Sequence, residues 1–184
     1  MDKTMDITIE RAVQSDIDAL ARLYDDLNDH LAAGVNHPGW IKGVYPTRSN
    51  AERGVGDRML YVARAKNGIA GTMILGHEPE PAYLGAAWGI DAAYSEVFVI
   101  TTFAVHPAFL GRGVGSRLLA FAAEHGRQQG IKALRLDVFE RNLPAISLYE
   151  KNGFGYVGTV DLGLGAYGLD RFKLYERLLM PSYG

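Results

Sequence analysis

The 184-residue chain contains no cysteine. That excludes disulfide frameworks, thiolate nucleophiles and cysteine-based zinc sites, and it permits a reducing compartment. The chain also has little net charge: 19 Lys and Arg stand against 21 Asp and Glu, for a formal charge of -2. No global basic field draws it to nucleic acid or to an anionic membrane. Long hydrophobic runs are missing too. The most apolar stretch, Val97 to Val105, is broken by Thr101 and Thr102 and is far too short to span a bilayer. The segment MDKTMDITIE places no apolar core behind Lys3, so it does not read as a secretory signal. His30, His37, His77 and His125 show no metal-ligand spacing, His106-Pro107 reads as a structural turn, and no metal is expected. Internal repeats, low-complexity segments and a dividing linker are also absent. The expectation is a cytoplasmic protein, one domain over residues 1–184, that binds neither nucleic acid nor membrane.

What is present is a chain able to build a core, with 48% hydrophobic and 22% charged residues. Alternation over Ile7 to Val13 predicts a first strand. Ser15, with Asp18 three residues on, reads as a capping box for a helix whose Ile17, Leu20, Leu23, Tyr24, Leu27 and Leu31 share one face. Val35 to Pro46 is an irregular loop with exposed-looking aromatics, and Thr47 caps a short second helix. Two strand-like runs, Arg58 to Ala65 and Ile69 to Gly76, flank Lys66-Asn67-Gly68, and Asn-Gly is a strong hairpin signal. Glu78 to Ser95 has no clear period and is long for a compact domain, a type of loop that often carries function.

Glu96 to Val105 fits a strand buried on both faces. A third helix runs to Gln129, with Gly130 as its C-terminal cap. Lys132 to Phe139 alternates, with Leu134, Leu136 and Val138 opposite Arg135 and Asp137. A fourth helix covers Pro144 to Lys151, and the last strands are Phe154 to Asp161 and Arg171 to Leu179. The order β-α-α-β-β-β-α-β-α-β-β predicts a mixed α/β sheet with helices on its faces.

Glycine, at 22 residues, exceeds its usual share of about 7%. Its chemically pointed cluster is Gly111-Arg112-Gly113-Val114-Gly115-Ser116, between the buried strand and the third helix. Glycines there let a ligand approach the backbone, and the free N–H groups of the helix's first turn point at an anion. The physical reading is a phosphate or pyrophosphate site; the plain alternative is a tight turn. An ATP-type loop needs Gly-Lys-Ser/Thr, and here Gly115 is followed by Ser116-Arg117. A dinucleotide fingerprint needs a final Gly or Ala, and Ser116 or Leu118 stands there instead.

Two blocks in the correct order give the chain its resemblance. The first is AVHP followed by LGRGVGSRLL. The second is Asn142-x-x-Ala145-x-x-Leu148-Tyr149-Glu150-Lys151-x-Gly153-Phe154. Together they resemble the GNAT superfamily of acyl-CoA-dependent N-acyltransferases, over most of the chain. The resemblance implies a fold of about seven strands and four helices, with acetyl-CoA between splayed strands Glu96–Val105 and Lys132–Phe139. It implies that the backbone of Phe103, Ala104 and Val105 holds the pantetheine. The N–H groups of Leu110, Gly111, Arg112, Gly113, Val114, Gly115 and Ser116 would hold the pyrophosphate. Leu110 departs from the family's usual Gln or Arg, and Arg112 or Arg117 could supply the charge. Asn142 is implied to bond the pantetheine; an N-cap is its other reading.

Tyr149 matches the family's usual general acid, with a phenol of reference pKa ~10 facing a departing thiolate of ~8.5; by itself it would read as a core aromatic. The incoming amine needs a base, which the sequence does not single out: Glu78, Asp91 and Glu96 are candidates. Trp40, Tyr45 and Trp88, with Glu96, are expected on the acceptor side, where aromatic loops either line an amine pocket, pack within the protein or meet a partner subunit in a homodimer. The implied activity is acetyl transfer to a primary amine of a small molecule or peptide by direct attack in a ternary complex. The rival reading is a non-catalytic acyl-CoA-binding module on the same fold.

Overall fold

The computed structural model describes residues 6–180. The start of the segment tested for a secretory signal therefore lies outside the described residues. The strands are β1 (Thr8–Arg11), β2 (Leu60–Ala65), β3 (Gly68–Gly76), β4 (Val97–Val105), β5 (Ala133–Phe139), β6 (Gly155–Val160) and β7 (Phe172–Leu178). The helices are α1 (Ile17–Ala33), α2 (Arg48–Gly56), α3 (Val114–Gln128) and α4 (Leu143–Lys151). They follow one another in the expected order. The sheet runs β1-β2-β3-β4-β5-β7-β6. β4 and β5 are parallel, pairing Val97 with Ala133 through Val99 with Arg135, while β1–β2, β2–β3, β5–β7 and β6–β7 are antiparallel. This is the mixed sheet with four helices that the sequence pattern predicts. Among the described residues, no helix is long and apolar enough to cross a membrane.

The chain packs as two compact units. One contains the residues up to Val35, with Trp40–Leu75 and Thr101–Leu118. Its core joins Leu20, Leu23, Tyr24, Leu27 and Leu31 of α1 to Ala51 and Val55 of α2, Leu60 and Val62 of β2 and Ala104 of β4. The i, i+3, i+4 spacing on α1 lets one face bury while the other stays wet. The start of α1 differs from expectation. The Val13 N–H donates to Asp16 Oδ2 at 2.9 Å, with Ser15 inside a short 3-10 turn, Gln14–Asp16. Asp16 prevails over the Ser15–Asp18 box because Arg64 fixes it through both carboxylate oxygens, at 3.0 and 3.1 Å. The hairpin forms where predicted, but only Gly68 takes a positive φ (123°). It pairs with Ala65, so Lys66 and Asn67 make the turn.

The other unit contains Asn36–Gly39, Gly76–Ile100 and the chain from Leu119 onward. β5 pairs with β7 along its whole length, Ala133 with Leu178 to Phe139 with Phe172. His125 stacks on Phe98 at 5.9 Å and on Phe121 at 5.4 Å, a packing role for that histidine. A second apolar cluster gathers Tyr83, Val97, Val99, Ala133 and Leu174, with Trp88, Ile90 and Tyr94 packed on it. The aperiodic segment Glu78–Ser95 is thus a cover, folded through two short 3-10 turns, Pro81–Gly85 and Tyr94–Glu96.

Candidate active site

The glycine turn sits in the first unit. The end of β4 is anchored by the His106 N–H donating to the Ala70 carbonyl at 2.9 Å. His106 then caps the 3-10 turn Pro107–Phe109: its Nδ1 accepts from the Ala108 N–H at 3.1 Å. Its Nε2 lies 3.1 Å from Asp26, so this histidine is structural. Gly111 (φ 71°) and Gly113 (φ 75°) both take the left-handed conformation, and a Cβ at either would meet open space. α3 begins at the next residue, Val114, and the Arg117 N–H bonds back to the Gly113 carbonyl at 3.1 Å. Left-handed glycines before a helix N-terminus turn successive N–H groups outward toward one point. Arg112 is exposed, its guanidinium 6.0 Å from the Phe109 ring, and Leu110 is exposed as well.

The helix approaches the sheet closely because of a glycine on β3. A Cβ at Gly71 would lie 2.9 Å from Val114 Cγ1, 3.0 Å from the Ala104 carbonyl oxygen and 3.1 Å from Leu118 Cδ1. Beside this, β4 carries an irregular residue: Thr102 is buried and has φ 47°. Its Oγ1 shares a 2.9 Å hydrogen bond with the Tyr45 hydroxyl. The Tyr45 ring meets Trp40 edge-on at 5.3 Å, and the Tyr45 carbonyl accepts from Asn28 Nδ2 at 3.3 Å. The aromatics of the Val35–Pro46 loop are therefore half-buried. Each is engaged inside the protein, where the sequence suggested exposure.

In the second unit, Asn142 is the N-cap of α4: its Oδ1 accepts from the Ala145 N–H at 3.3 Å. Tyr149, on the same helix, is buried with its ring 5.8 Å from Phe154. β5 supplies a residue that the sequence did not single out. Asp137 Oδ2 accepts a 2.6 Å hydrogen bond from the Tyr83 hydroxyl. Burial pushes the Asp137 carboxyl up to about 6; the Tyr83 bond opposes the rise and the charge of Glu80 adds to it. Burial and the carboxylate together push the Tyr83 phenol well above its ordinary value. Asp137 keeps part of its surface accessible. A partly accessible carboxyl held above the usual carboxylate range is a candidate general base.

Arg135, next on the same strand face, is buried with Glu176, Nε to Oε2 at 2.8 Å. It also donates to the Ile90 carbonyl at 2.9 Å and lies under the rings of Trp88 at 4.4 Å and Tyr94 at 5.3 Å. Trp88 is thus occupied with Arg135, and its Nε1 donates to the Tyr83 carbonyl at 2.8 Å. An open pocket of about 280 Å³ lies here, lined by Tyr83, Trp88, Asp91, Tyr94 and Arg135 among others. Glu96 precedes β4 at the end opposite Phe103–Val105 and pairs on the surface with Lys132 at 2.8 Å. Among the described residues, no group of three or more His, Cys, Asp or Glu could hold a metal ion.

With this arrangement in view, the class of protein is defined. Residues 20–154 match the acetyltransferase (GNAT) family. The chain belongs to that family. The streptothricin acetyltransferase of Streptomyces lavendulae is 34% identical over 67 residues, covering 36% of this chain and 35% of that protein. An acetyltransferase of the GNAT family from Streptococcus agalactiae superposes with a TM-score of 0.77 at 20% identity, covering 95% of this chain and 96% of that one. A Salmonella typhimurium protein, solved with acetyl-CoA as its cofactor, superposes with a TM-score of 0.69 at 17% identity over 97% and 96% of the two chains. The likeness to these two structures is one of fold. The chain spans from 25% to 56% of the length of the curated relatives it matches.

Proposed function

We propose that this protein transfers an acetyl group from acetyl-CoA to a primary amine. The observation that carries the reading is the pair of left-handed glycines, Gly111 and Gly113, with open room beside them at the start of α3, in a chain of the GNAT family. The N–H groups of Leu110 to Ser116 would hold the pyrophosphate, and the main chain of Phe103, Ala104 and Val105 the pantetheine. Asn142 commits its Oδ1 to the helix cap, which leaves Nδ2 to donate to the pantetheine.

Acetyl-CoA supplies an acyl thioester that a neutral amine can attack. An alkylammonium of pKa ~10.4 must first lose its proton, and Asp137 is the group we assign to take it, directly or through one water. Attack forms the C–N bond, and collapse of the tetrahedral adduct breaks the C–S bond; Tyr149 gives its proton to the departing thiolate, the second proton of the amine nitrogen restores the phenol, and Asp137 releases the first to solvent. No covalent enzyme intermediate is needed, which agrees with a chain lacking cysteine. The acids Glu78, Glu80 and Asp91 on the cover segment favour a cationic amine, and the name of the Streptomyces relative favours a small-molecule acceptor.

The test is thiol release from acetyl-CoA with a panel of polyamines, aminoglycosides, amino acids and peptide N-termini. At least one acceptor should give turnover above the hydrolytic background. Tight acetyl-CoA binding with no release across the panel would replace this reading with that of a binding module.

A further inference from the structure

Thr102 is β-branched and sits inside a strand, yet its φ of 47° is left-handed. For such a residue this conformation costs about 1–3 kcal/mol and persists only where surrounding contacts over-determine it. One such contact is a hydrogen bond. Thr102 is 5% exposed, and its hydroxyl has the Tyr45 phenol at 2.9 Å. Tyr45 is held in turn from two sides, by the Trp40 ring edge at 5.3 Å and by Asn28, which donates to the Tyr45 carbonyl at 3.3 Å. Support thus passes from α1 through Tyr45 to the main chain of β4. Val97 to Ile100 are all buried, whereas Thr101, Phe103 and Val105 are more open than Thr102 and Ala104. The positive φ at Thr102 sets which way the N–H and carbonyl groups of the following residues, Phe103 to Val105, face.

We infer that Tyr45 is a positioning residue: its hydroxyl locks Thr102 in the left-handed conformation and so aims the Phe103–Val105 main chain at the acyl group. This inference rests on the acetyltransferase reading for its catalytic consequence, but not for the lock itself. It gives Tyr45 a part different from the substrate contact suggested by its place on an aromatic loop. Loss of the phenol would leave the Thr102 hydroxyl buried without its partner, and the backbone would lose the bond that offsets the strained φ. Glycine at 102 removes both difficulties at once, because it has no hydroxyl to strand and no Cβ to resist a positive φ.

The experiment compares Tyr45→Phe, Thr102→Gly and the double variant. Phenylalanine keeps the ring against Trp40. Hydrogen exchange of the 102–105 amides is measured on the protein alone, and kcat and KM on the best acceptor amine. Tyr45→Phe should raise amide exchange and lower kcat about tenfold, the size of a single lost bond, with KM for the amine near wild type. The double variant should recover both protection and kcat. Two outcomes overturn the lock: unchanged exchange in Tyr45→Phe, or a raised amine KM that Thr102→Gly does not rescue, which would make Tyr45 a substrate contact. Should the wild type transfer no acetyl group to any amine, the functional reading falls, while the exchange arm still decides the lock.

Discussion

The hydroxyl of Tyr83, from the cover segment, donates to Oδ2 of Asp137, in the middle of β5, at 2.6 Å. Asp137 is the carboxyl proposed as base, and its pKa is pushed up to about 6, above the ordinary value of 3.8, chiefly by burial. The rate of acetyl transfer, as kcat/KM, should therefore fall as pH drops through about 6. Tyr83 stabilises the charged carboxylate, so Tyr83→Phe should move this acid limb to higher pH. A limb that stays in place would assign the base to another group.

The same shift has a consequence for stability. A carboxyl whose folded pKa lies above its unfolded one stabilises the protein fully only below the unfolded value. That contribution is lost as pH rises through the folded pKa of about 6. Asp137→Asn should accordingly compare better with the wild type at pH well above 6 than at pH well below it. Paired thermal melts on the two sides of that pKa check the sign. A larger advantage for the variant on the acid side would show that the native carboxyl is not raised.

Tyr149→Phe removes only the phenolic oxygen and keeps the ring against Phe154. General-acid groups contribute about 10²–10⁴-fold, so turnover should fall by about that factor while acetyl-CoA affinity and melting temperature stay close to wild type. Calorimetric titration beside steady-state kinetics separates the two effects. Full turnover in the variant would reduce Tyr149 to a packing aromatic.

Much of this architecture was legible in the sequence, and the reasons differ by residue. The apolar face of α1 follows from periodicity, and the continuous apolar run of β4 predicts burial on both faces, which holds for Val97–Ile100 but not for Thr101, Phe103 and Val105, where the strand is open on one side. The glycine turn follows from residue type and position: Gly111 and Gly113 precede a helix whose first turn must leave N–H groups open. The role of β5 was harder to read. Alternation placed Arg135 and Asp137 opposite Leu134, Leu136 and Val138, and a polar face ordinarily means solvent. Here that face lies beneath Glu78–Ser95, a segment with no period and hence no signal of the surface it covers. Its grip comes from Tyr83 on Asp137 and the Ile90 carbonyl on Arg135, pairs more than forty positions apart in the chain. Thr102 was silent for another reason, since its strained φ depends on a partner, Tyr45, from a distant loop. Local pattern gives elements well and long-range polar pairing poorly.

Arg135 and Glu176 form a buried pair, with side chains 2% and 5% exposed. Glu176 also accepts from the Gly89 N–H at 2.7 Å, so one carboxylate satisfies β5 and the cover segment together. Glu176→Ala leaves a buried guanidinium without its counter-charge, a loss on the order of 3–5 kcal/mol. Denaturant unfolding should show it, and proteolysis should cut first within Glu78–Ser95. Arg135→Met combined with Glu176→Leu removes both charges and should recover most of the loss, because the pair's own net contribution is small. A single variant no less stable than the double one would mean that the charge is not held as the geometry indicates.

Gly71 lies on β3 where α3 begins, with Val114 Cγ1 and the Ala104 carbonyl oxygen 2.9 and 3.0 Å from where a Cβ would stand. The Val114 side chain can turn aside, but the carbonyl belongs to β4 and moves only with the strand. Alanine at 71 therefore has to displace either the first turn of α3 or the main chain at Ala104. Overpacking of this kind costs about 1–3 kcal/mol. The displaced groups are those assigned to the pyrophosphate and the pantetheine, so the substitution should weaken acetyl-CoA binding more than its effect on folding implies. Gly54→Ala serves as the comparison: its Cβ would meet Leu60 and Ile74 side-chain atoms at 3.0 Å, away from the glycine turn. With the two variants matched for stability, Gly71→Ala should show the higher Kd for acetyl-CoA and Gly54→Ala a Kd near wild type. Equal affinities would show that the tight seat of α3 on β3 is a matter of packing alone.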